Sequence, residues 1–133
     1  MRPFFKDDDF NYLTEIALGA AYRQAADVGE VLSTVERIRN GDAQSWADEW
    51  AATAGRLAAE AAANADHGRS RSAARQFLRA SMYYSLASSS ADGTGDSGLF
   101  GTLWEKHRAA WDRFVDLSVP RAERIEIDRK SVV

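Results

Sequence analysis

Residues 42–67 read DAQSWADEWAATAGRLAAEAAANADH, and this stretch decides the fold. Alanine, which has the highest helix propensity, recurs throughout the stretch, and proline is absent from it. The large apolar residues recur every three or four positions, which is the spacing of one helix face. That face carries Trp46, Trp50, Ala54, Leu57, Ala61 and Ala65. The stretch therefore predicts a long helix whose small residues allow a second helix to approach closely.

The residues that follow predict the second member of a helical pair. Gly68 is suited to end the first helix, because glycine readily adopts a positive φ. A helix is then expected over about residues 70–88, with its apolar face formed by Ala73, Phe77, Ala80, Tyr84 and Ala87. The spacing of its small and aromatic residues matches the second helix of a tetratricopeptide repeat. No second copy of the unit is found, so we expect one tetratricopeptide-like hairpin and not an array.

Two further helices are expected before this pair. The first covers about residues 9–24. The second begins at Asp27, which with Glu30 has the spacing of a capping box, where each side chain bonds the other residue's backbone N–H. Its buried stripe is expected to comprise Val28, Val31, Leu32, Val35 and Ile38. Asn40 and Gly41 should end it, because both tolerate a positive φ.

A fifth helix is expected over about residues 99–117, after a serine- and glycine-rich segment, residues 88–98, with the composition of a mobile loop. Its wide apolar face comprises Phe100, Leu103, Trp104, His107, Trp111, Phe114 and Val115. Residues 124–128, RIEID, alternate with period two, which predicts a short half-exposed β-strand. The fold prediction is therefore an all-α bundle of about five helices with a short C-terminal β-strand.

The predicted strand also sets the predicted domain boundaries. A strand at the end of a helical bundle has no sheet to join within the chain. We therefore expect one helical domain over residues 1–120. Residues 121–133 are expected to be the start of a missing domain or a disordered tail.

Composition narrows the classes of function. The chain has 133 residues, no cysteine and a net charge of −3, which excludes thiol catalysis and cysteine-ligated metal and argues against binding to nucleic acid or an anionic membrane. No stretch has the length and hydrophobicity of a signal peptide or a bilayer-spanning helix. We expect a cytoplasmic protein that needs no cofactor. Residues 1–66 carry 12 acids and 6 bases, and residues 67–133 carry 8 acids and 11 bases, so the two halves are expected to attract each other.

The residues that most resemble catalytic or metal-binding groups lack the neighbouring residues or the spacing that such sites need. Residues 95–98, GDSG, resemble the surroundings of a protease serine, but they lie between helices, and Leu99 occupies the position where a nucleophile elbow needs glycine. Glu105 and His107 are two positions apart, so on a helix they point in different directions. We expect His107 to be a hydrogen-bonded core or interface histidine. No catalytic residue and no metal ligand is predicted.

One helix face carries the residues that could bind a ligand. Arg71, Arg75 and Arg79 recur every fourth position, which forms one stripe. The stripe predicts either an anion or phosphate site or ion pairs with acids of the first half, such as Asp48, Glu49 and Glu60. Tyr83 and Tyr84 are consecutive, so we expect at most one to face the bundle centre and the other to be available to a partner or ligand. The candidate substrate-binding residues are Tyr83, Tyr84 and Arg79.

A set of short stretches, taken together, resembles a known family. The stretches are residues 26–31 (ADVGEV), 41–42 with 45–46 and 49–50 (GD, SW, EW), 67–69 (HGR), 72–75 (SAAR), 79–81 (RAS) and 83–84 (YY). Their order and spacing resemble the helical N-terminal region of a group of bacterial and fungal α/β-hydrolases. That group includes 2,6-dihydroxypseudooxynicotine hydrolase-like and acyl-aminoacyl-peptidase-like enzymes. The resemblance runs from about Phe10 to Asp128, nearly the whole chain.

The resemblance implies a non-catalytic helical cap that packs beside an α/β catalytic domain, walls its substrate pocket and contributes to dimer contacts. The nucleophilic serine, the acid and the histidine belong to the catalytic domain, which hydrolyses C–C, ester or amide bonds. The expected partners are therefore an α/β-hydrolase catalytic domain or subunit and a second copy of the chain. On this interpretation the chain is a truncated or split form of such an enzyme. The alternative is a stand-alone helical protein-interaction module.

Overall fold

The computed structural model describes residues 3–128, and within this range the chain is a bundle of five α-helices. Their bounds are α1 Asp8–Ala20, α2 Val28–Glu36, α3 Ala43–Asp66, α4 Ser70–Ser88 and α5 Leu99–Leu117. Two short 3₁₀ turns, Ala21–Arg23 and Ala91–Thr94, follow α1 and α4. The predicted all-α bundle is confirmed. None of these helices is long and apolar enough to cross a lipid bilayer.

Aspartate side chains set the starts of the first three helices. Asp7, Asp27 and Asp42 each accept a hydrogen bond from the backbone N–H three residues later, at 2.9, 2.9 and 3.0 Å. These bonds satisfy N–H groups that have no partner within the helix. The α1 helix ends earlier than predicted, in a 3₁₀ turn that closes at Gln24 with φ of 62°. The α2 helix ends at Glu36, before the predicted Asn40 stop.

The centre of the fold is an antiparallel pair formed by α3 and α4. Residues near the start of α3 contact the end of α4: the Trp46 indole Nε1 donates to the Leu86 carbonyl oxygen at 2.7 Å. Residues near the end of α3 contact the start of α4, where Asn64 donates to Gln76 at 2.7 Å. Gly68, with φ of 76°, makes the reversal between the two helices. On the other side of α4 packs α5, so α4 is covered on two faces.

A chain of aromatic rings fills the core beneath α3. Phe5, Phe10, Trp46, Trp50 and Tyr83 follow one another with ring centroids 4.5 to 5.8 Å apart. Both tryptophans are fully buried, as their places on the predicted α3 stripe require. Rings at these separations combine large apolar burial with favourable edge and offset contacts. The aromatic chain links the N-terminal segment and α1 to the α3–α4 pair.

The predicted C-terminal β-strand is wrong. Residues 121–128 are exposed and form no strand, and Ile125 and Ile127 remain about four-fifths exposed. A helical bundle presents no open backbone ladder, so the local alternation has nothing to pair with. Arg124 instead forms ion pairs with Asp112 and Asp116 of α5, at 3.4 and 3.1 Å. The rest of the predicted tail, residues 129–133, lies outside the described residues.

The segment before α5 is packed against α3 and is not the open loop that its composition suggested. Ala91 is buried, and the Ser90 hydroxyl donates to the Ala43 carbonyl oxygen at 2.8 Å. A Cβ atom on Gly93 would lie 2.9 Å from the Cβ of Ala43, which is too close unless one of the two backbone segments shifts. Glycine therefore allows the 3₁₀ turn to approach the start of α3.

We predict that Trp46→Ala lowers the free energy of unfolding by about 3–5 kcal/mol, because it removes a buried indole and leaves a cavity. Chemical denaturation with circular dichroism measures the change. Trp104→Ala is the matched control, since its side chain is 48% exposed, and we expect a change of about 1 kcal/mol or less. Equal losses in the two variants would contradict the described core.

Candidate functional site

Two of the predicted ligand-binding residues meet in one hydrogen-bonded network. The Tyr83 hydroxyl donates to Glu30 Oε1 at 2.8 Å and accepts from the backbone N–H of Asp27 at 2.9 Å. Arg79 binds the same carboxylate with both ends of its guanidinium, Nε to Oε1 at 2.8 Å and Nη2 to Oε2 at 3.3 Å. The network joins α4 to the start of α2. Tyr83 is fully buried, and the Arg79 side chain is 20% exposed.

The same network corrects the predicted capping box. Asp27 caps α2 as predicted, with its carboxylate accepting from the Glu30 N–H at 2.9 Å. The Glu30 carboxylate does not return to the Asp27 N–H, because the Tyr83 hydroxyl takes that place. Spacing within α2 could not reveal this arrangement, since the third group comes from a helix more than fifty residues later.

Tyr84 is also buried, so the expectation that one of the two tyrosines would be exposed is wrong. It is 7% exposed, and its hydroxyl has no hydrogen-bond partner among residues 3–128. The reason is the central position of α4. Because α3 and α5 cover two of its faces, two consecutive tyrosines can both be buried. Burial raises the pKa of the Tyr84 phenol. Burial is also the largest cause of the raised pKa of Tyr83, to which the hydrogen bond with Glu30 adds. A role for Tyr83, Tyr84 and Arg79 in substrate binding stays a prediction.

We predict that Tyr83→Phe lowers the free energy of unfolding by about 1–3 kcal/mol, because Glu30 and the Asp27 N–H each lose a partner. Tyr84→Phe should be nearly neutral at pH 7, since no hydrogen bond within residues 3–128 is lost.

The free energy of unfolding of the parent should fall as pH rises above about 10, because an unfolded phenol releases its proton more readily than a buried one. Tyr84→Phe should make that fall shallower. Denaturation at pH 7 and pH 10.5 measures both effects, and an equal loss in the two variants at pH 7 would contradict the network.

Ser81 and His107 lie close together, but their geometry is unsuited to nucleophilic catalysis. His107 Nδ1 lies 3.0 Å from the Ser81 hydroxyl oxygen and 2.8 Å from the Ser81 carbonyl oxygen. A carbonyl oxygen only accepts, so Nδ1 carries a proton and cannot take one from the hydroxyl. Ser81 is also 2% exposed. The pair ties α5 to α4, which confirms the prediction of a hydrogen-bonded histidine.

The serine that resembles a protease nucleophile lies in a turn. Gly95 has φ of 79°, and the Asp96 carboxylate accepts from the Gly98 N–H at 3.0 Å, which leads directly into α5. Ser97 is exposed, and no hydrogen bond joins it to a histidine or an acid within residues 3–128. In the same range, no group of three or more His, Asp or Glu side chains is placed to hold a metal ion.

The most unusual surface of the bundle is one side of α5, here called the α5 aromatic face and defined as Phe100, Trp104, His107 and Trp111. Phe100, Trp104 and Trp111, which the sequence placed on the wide apolar face of this helix, are 50%, 48% and 42% exposed. The first two rings are stacked, 6.5 Å apart with an interplanar angle of 11°, and Trp104 lies 5.3 Å from His107. Leu103, Ala110 and Val115, on the adjacent side of the helix, are buried instead.

The predicted arginine stripe divides into a paired and an unpaired part. Arg79 pairs with Glu30, and none of the three acids proposed for the stripe takes part: Glu49 pairs with Arg37 at 2.9 Å. Arg71 and Arg75 are exposed and form no ion pair or hydrogen bond with residues 3–128. Together with Arg23 they border a groove between the start of α4 and the end of α5. The ion-pair interpretation is therefore wrong for Arg71 and Arg75.

Known proteins similar to this chain are named hydrolases or hydrolyases. A segment of 86 residues is 43% identical to Hydrolase ORFZ of Pyricularia oryzae, covering 62% of this chain and 20% of that protein. A segment of 87 residues is 39% identical to 20-hydroxy-prefusarin hydrolase FUS2 of Gibberella moniliformis, and one of 84 residues is 36% identical to Hydrolyase poxO of Penicillium oxalicum, each covering 63% of this chain and 20% of the relative.

The chain spans about a fifth of the length of the curated relatives it matches. No family model and no solved structure matches it. The similarity therefore relates this chain to one part of larger proteins named hydrolases or hydrolyases.

Proposed function

We propose that this chain is the non-catalytic helical cap of an α/β-hydrolase and that the α5 aromatic face is its contact with the catalytic domain. The observation that carries the proposal is the row of three large aromatic side chains exposed along one side of α5. Clustered exposed aromatic residues are a sign of a protein contact, and Trp is the residue type most enriched among those that dominate binding energy.

The occupant of this face is argued from the relatives. Each matched relative is named a hydrolase or hydrolyase and is about five times as long as its matched part. Within residues 3–128 the Ser81–His107 pair and Ser97 lack the geometry of a catalytic site. A catalytic α/β domain is therefore the partner that supplies both the missing chemistry and a cover for the aromatic rings. In that position the bundle shapes the substrate pocket, and hydrolysis of a C–C, ester or amide bond is the work of the partner.

A second function is a stand-alone module for protein interaction, which the same aromatic face also favours. The two functions differ in which protein covers the face. A third protein to be tested on this face is a second copy of the chain. Sedimentation of the isolated chain across a range of concentrations measures self-association.

The test begins with the DNA that flanks the codons of this chain. We expect it to encode a hydrolase catalytic domain, in the same reading frame or in a neighbouring one. That domain, expressed as a separate polypeptide, should bind this chain, and the double variant Trp104→Ser/Trp111→Ser should weaken the binding at least about thirtyfold, which corresponds to a loss of about 2 kcal/mol. Isothermal titration calorimetry measures both affinities.

Tyr12→Ser is the control, because Tyr12 is 63% exposed on α1, away from the aromatic face. It should bind the catalytic domain as the parent does. The cap function would be contradicted if the catalytic domain bound the parent and the tryptophan double variant equally. If the catalytic domain bound neither the parent nor the variant, and another protein bound the parent but not the Trp104/Trp111 variant, the stand-alone module would be the correct function.

A further inference from the structure

The groove beside the unpaired arginines has the dimensions of a ligand site. It lies between the first turns of α4 and the end of α5, and its volume is about 640 Å³. Small-molecule sites commonly have volumes of about 300–1,000 Å³. Arg23 and Gln24, at the end of the 3₁₀ turn after α1, form one wall, and residues 118–120 with Ala122 form another. None of the residues of the α5 aromatic face lines the groove, and the two surfaces adjoin where the Trp111 ring lies 5.2 Å from the ring of Phe114.

Three positive charges border this groove without a counter-charge. Arg23, Arg71 and Arg75 line it, no acid is among the lining residues, and none of the three forms an ion pair within residues 3–128. Elsewhere in the bundle the partly exposed Arg37 and Arg79 each have a glutamate at 2.9 Å or less. Asp27 lines an adjoining hollow shared by Arg75 and Arg79, but its carboxylate already caps α2. The residues that line the groove therefore carry a net positive charge, and Asp27 is the acid of the adjoining hollow.

Apolar side chains form the floor between these charges. Leu78 of α4 and Phe114 and Leu117 of α5 are partly buried, and Val119 and Pro120 continue the apolar surface at the rim. Arg71 and Arg75 are one helical turn apart, which places their Cβ atoms about 5–6 Å from each other on the same face. Two guanidinium groups at this spacing can bind different oxygens of one carboxylate or phosphate, because each presents several donors in a planar fork.

We infer that this groove binds a small amphipathic anion, with a carboxylate or phosphate monoester held by Arg71 and Arg75 and an alkyl or aromatic body resting on Phe114 and Leu117. Arg23, which also lines the groove, adds a third positive charge that attracts the anion. Neither charge nor apolar contact is sufficient alone, because exposed ion pairs contribute little in water and the floor is shallow. The inference rests on the groove and is independent of the proposed cap function.

The experiment uses the whole chain and four probes that separate head group from body. Octanoate and octyl phosphate carry both parts, inorganic phosphate carries the head group alone, and octanol carries the body alone. Isothermal titration calorimetry at low ionic strength measures affinity, and chemical-shift perturbation locates binding. We expect octanoate or octyl phosphate to bind at least about tenfold more tightly than octanol or inorganic phosphate, and the preferred head group identifies which oxyanion the groove accepts.

The variants test the residues that carry the inference. Arg71→Gln/Arg75→Gln should weaken the preferred probe at least about tenfold, while its denaturation midpoint should stay at the parent value because both side chains are exposed. Val119→Ser, at a position 72% exposed, should weaken the same probe without changing the preference for a charged head group. Lys106→Gln/Arg108→Gln is the matched control, because it also removes two positive charges and both residues are exposed on α5 and do not line the groove.

Three results would overturn the inference. One is the absence of binding by octanoate and octyl phosphate at millimolar concentration. Another is equal binding of inorganic phosphate and the amphipathic probes, which would show a general cationic surface. The third is equal loss of affinity in the Lys106/Arg108 double variant and in the Arg71/Arg75 double variant, which would show that net charge and not the groove determines binding.

Discussion

The antiparallel packing of α3 on α4 is the constraint on which the rest of the structure depends. The alanines of both helices let the backbones approach closely, and Trp46, Trp50 and Tyr83 fill the space beneath α3. Because α3 and α5 cover two sides of α4, the polar side chains of α4 are held in fixed positions. Arg79 and Tyr83 reach Glu30 of α2, while Ser81 anchors His107 of α5. The first turns of α4 leave Arg71 and Arg75 beside the groove.

Local signals predicted most of the helices, and failures occurred where distant residues decide. Aspartate caps and apolar spacing gave the starts of α2, α3 and α4 within a residue or two, because both act over one or two turns. The period-two pattern of residues 124–128 failed as a strand, since a strand needs a partner and the described part of this bundle supplies none. The segment before α5 was misjudged because its packing depends on Ala43, far away in sequence.

The candidate site shows the same division between local and distant information. Helical spacing placed Arg71, Arg75 and Arg79 on one stripe. It could not predict that Glu30 is the partner of Arg79 or that the other two arginines have no ion pair among the described residues. The wide apolar face of α5 was also visible in the sequence. Which part of it stays exposed depends on the number of neighbouring helices, and α5 packs chiefly against α4. The proposed functions consequently rest on exposed surfaces of this bundle.

The central claim is that a hydrolase catalytic domain covers the α5 aromatic face, and fluorine NMR tests it most directly. The four tryptophans of this chain are labelled with 5-fluorotryptophan, and the shift of each resonance between H₂O and D₂O reports exposure of the ring. In the isolated chain, Trp104 and Trp111 should show the solvent shift, whereas Trp46 and Trp50 should not. Bound to the unlabelled catalytic domain, Trp104 and Trp111 should lose it. Retention of the full solvent shift by both residues in the complex would contradict the account.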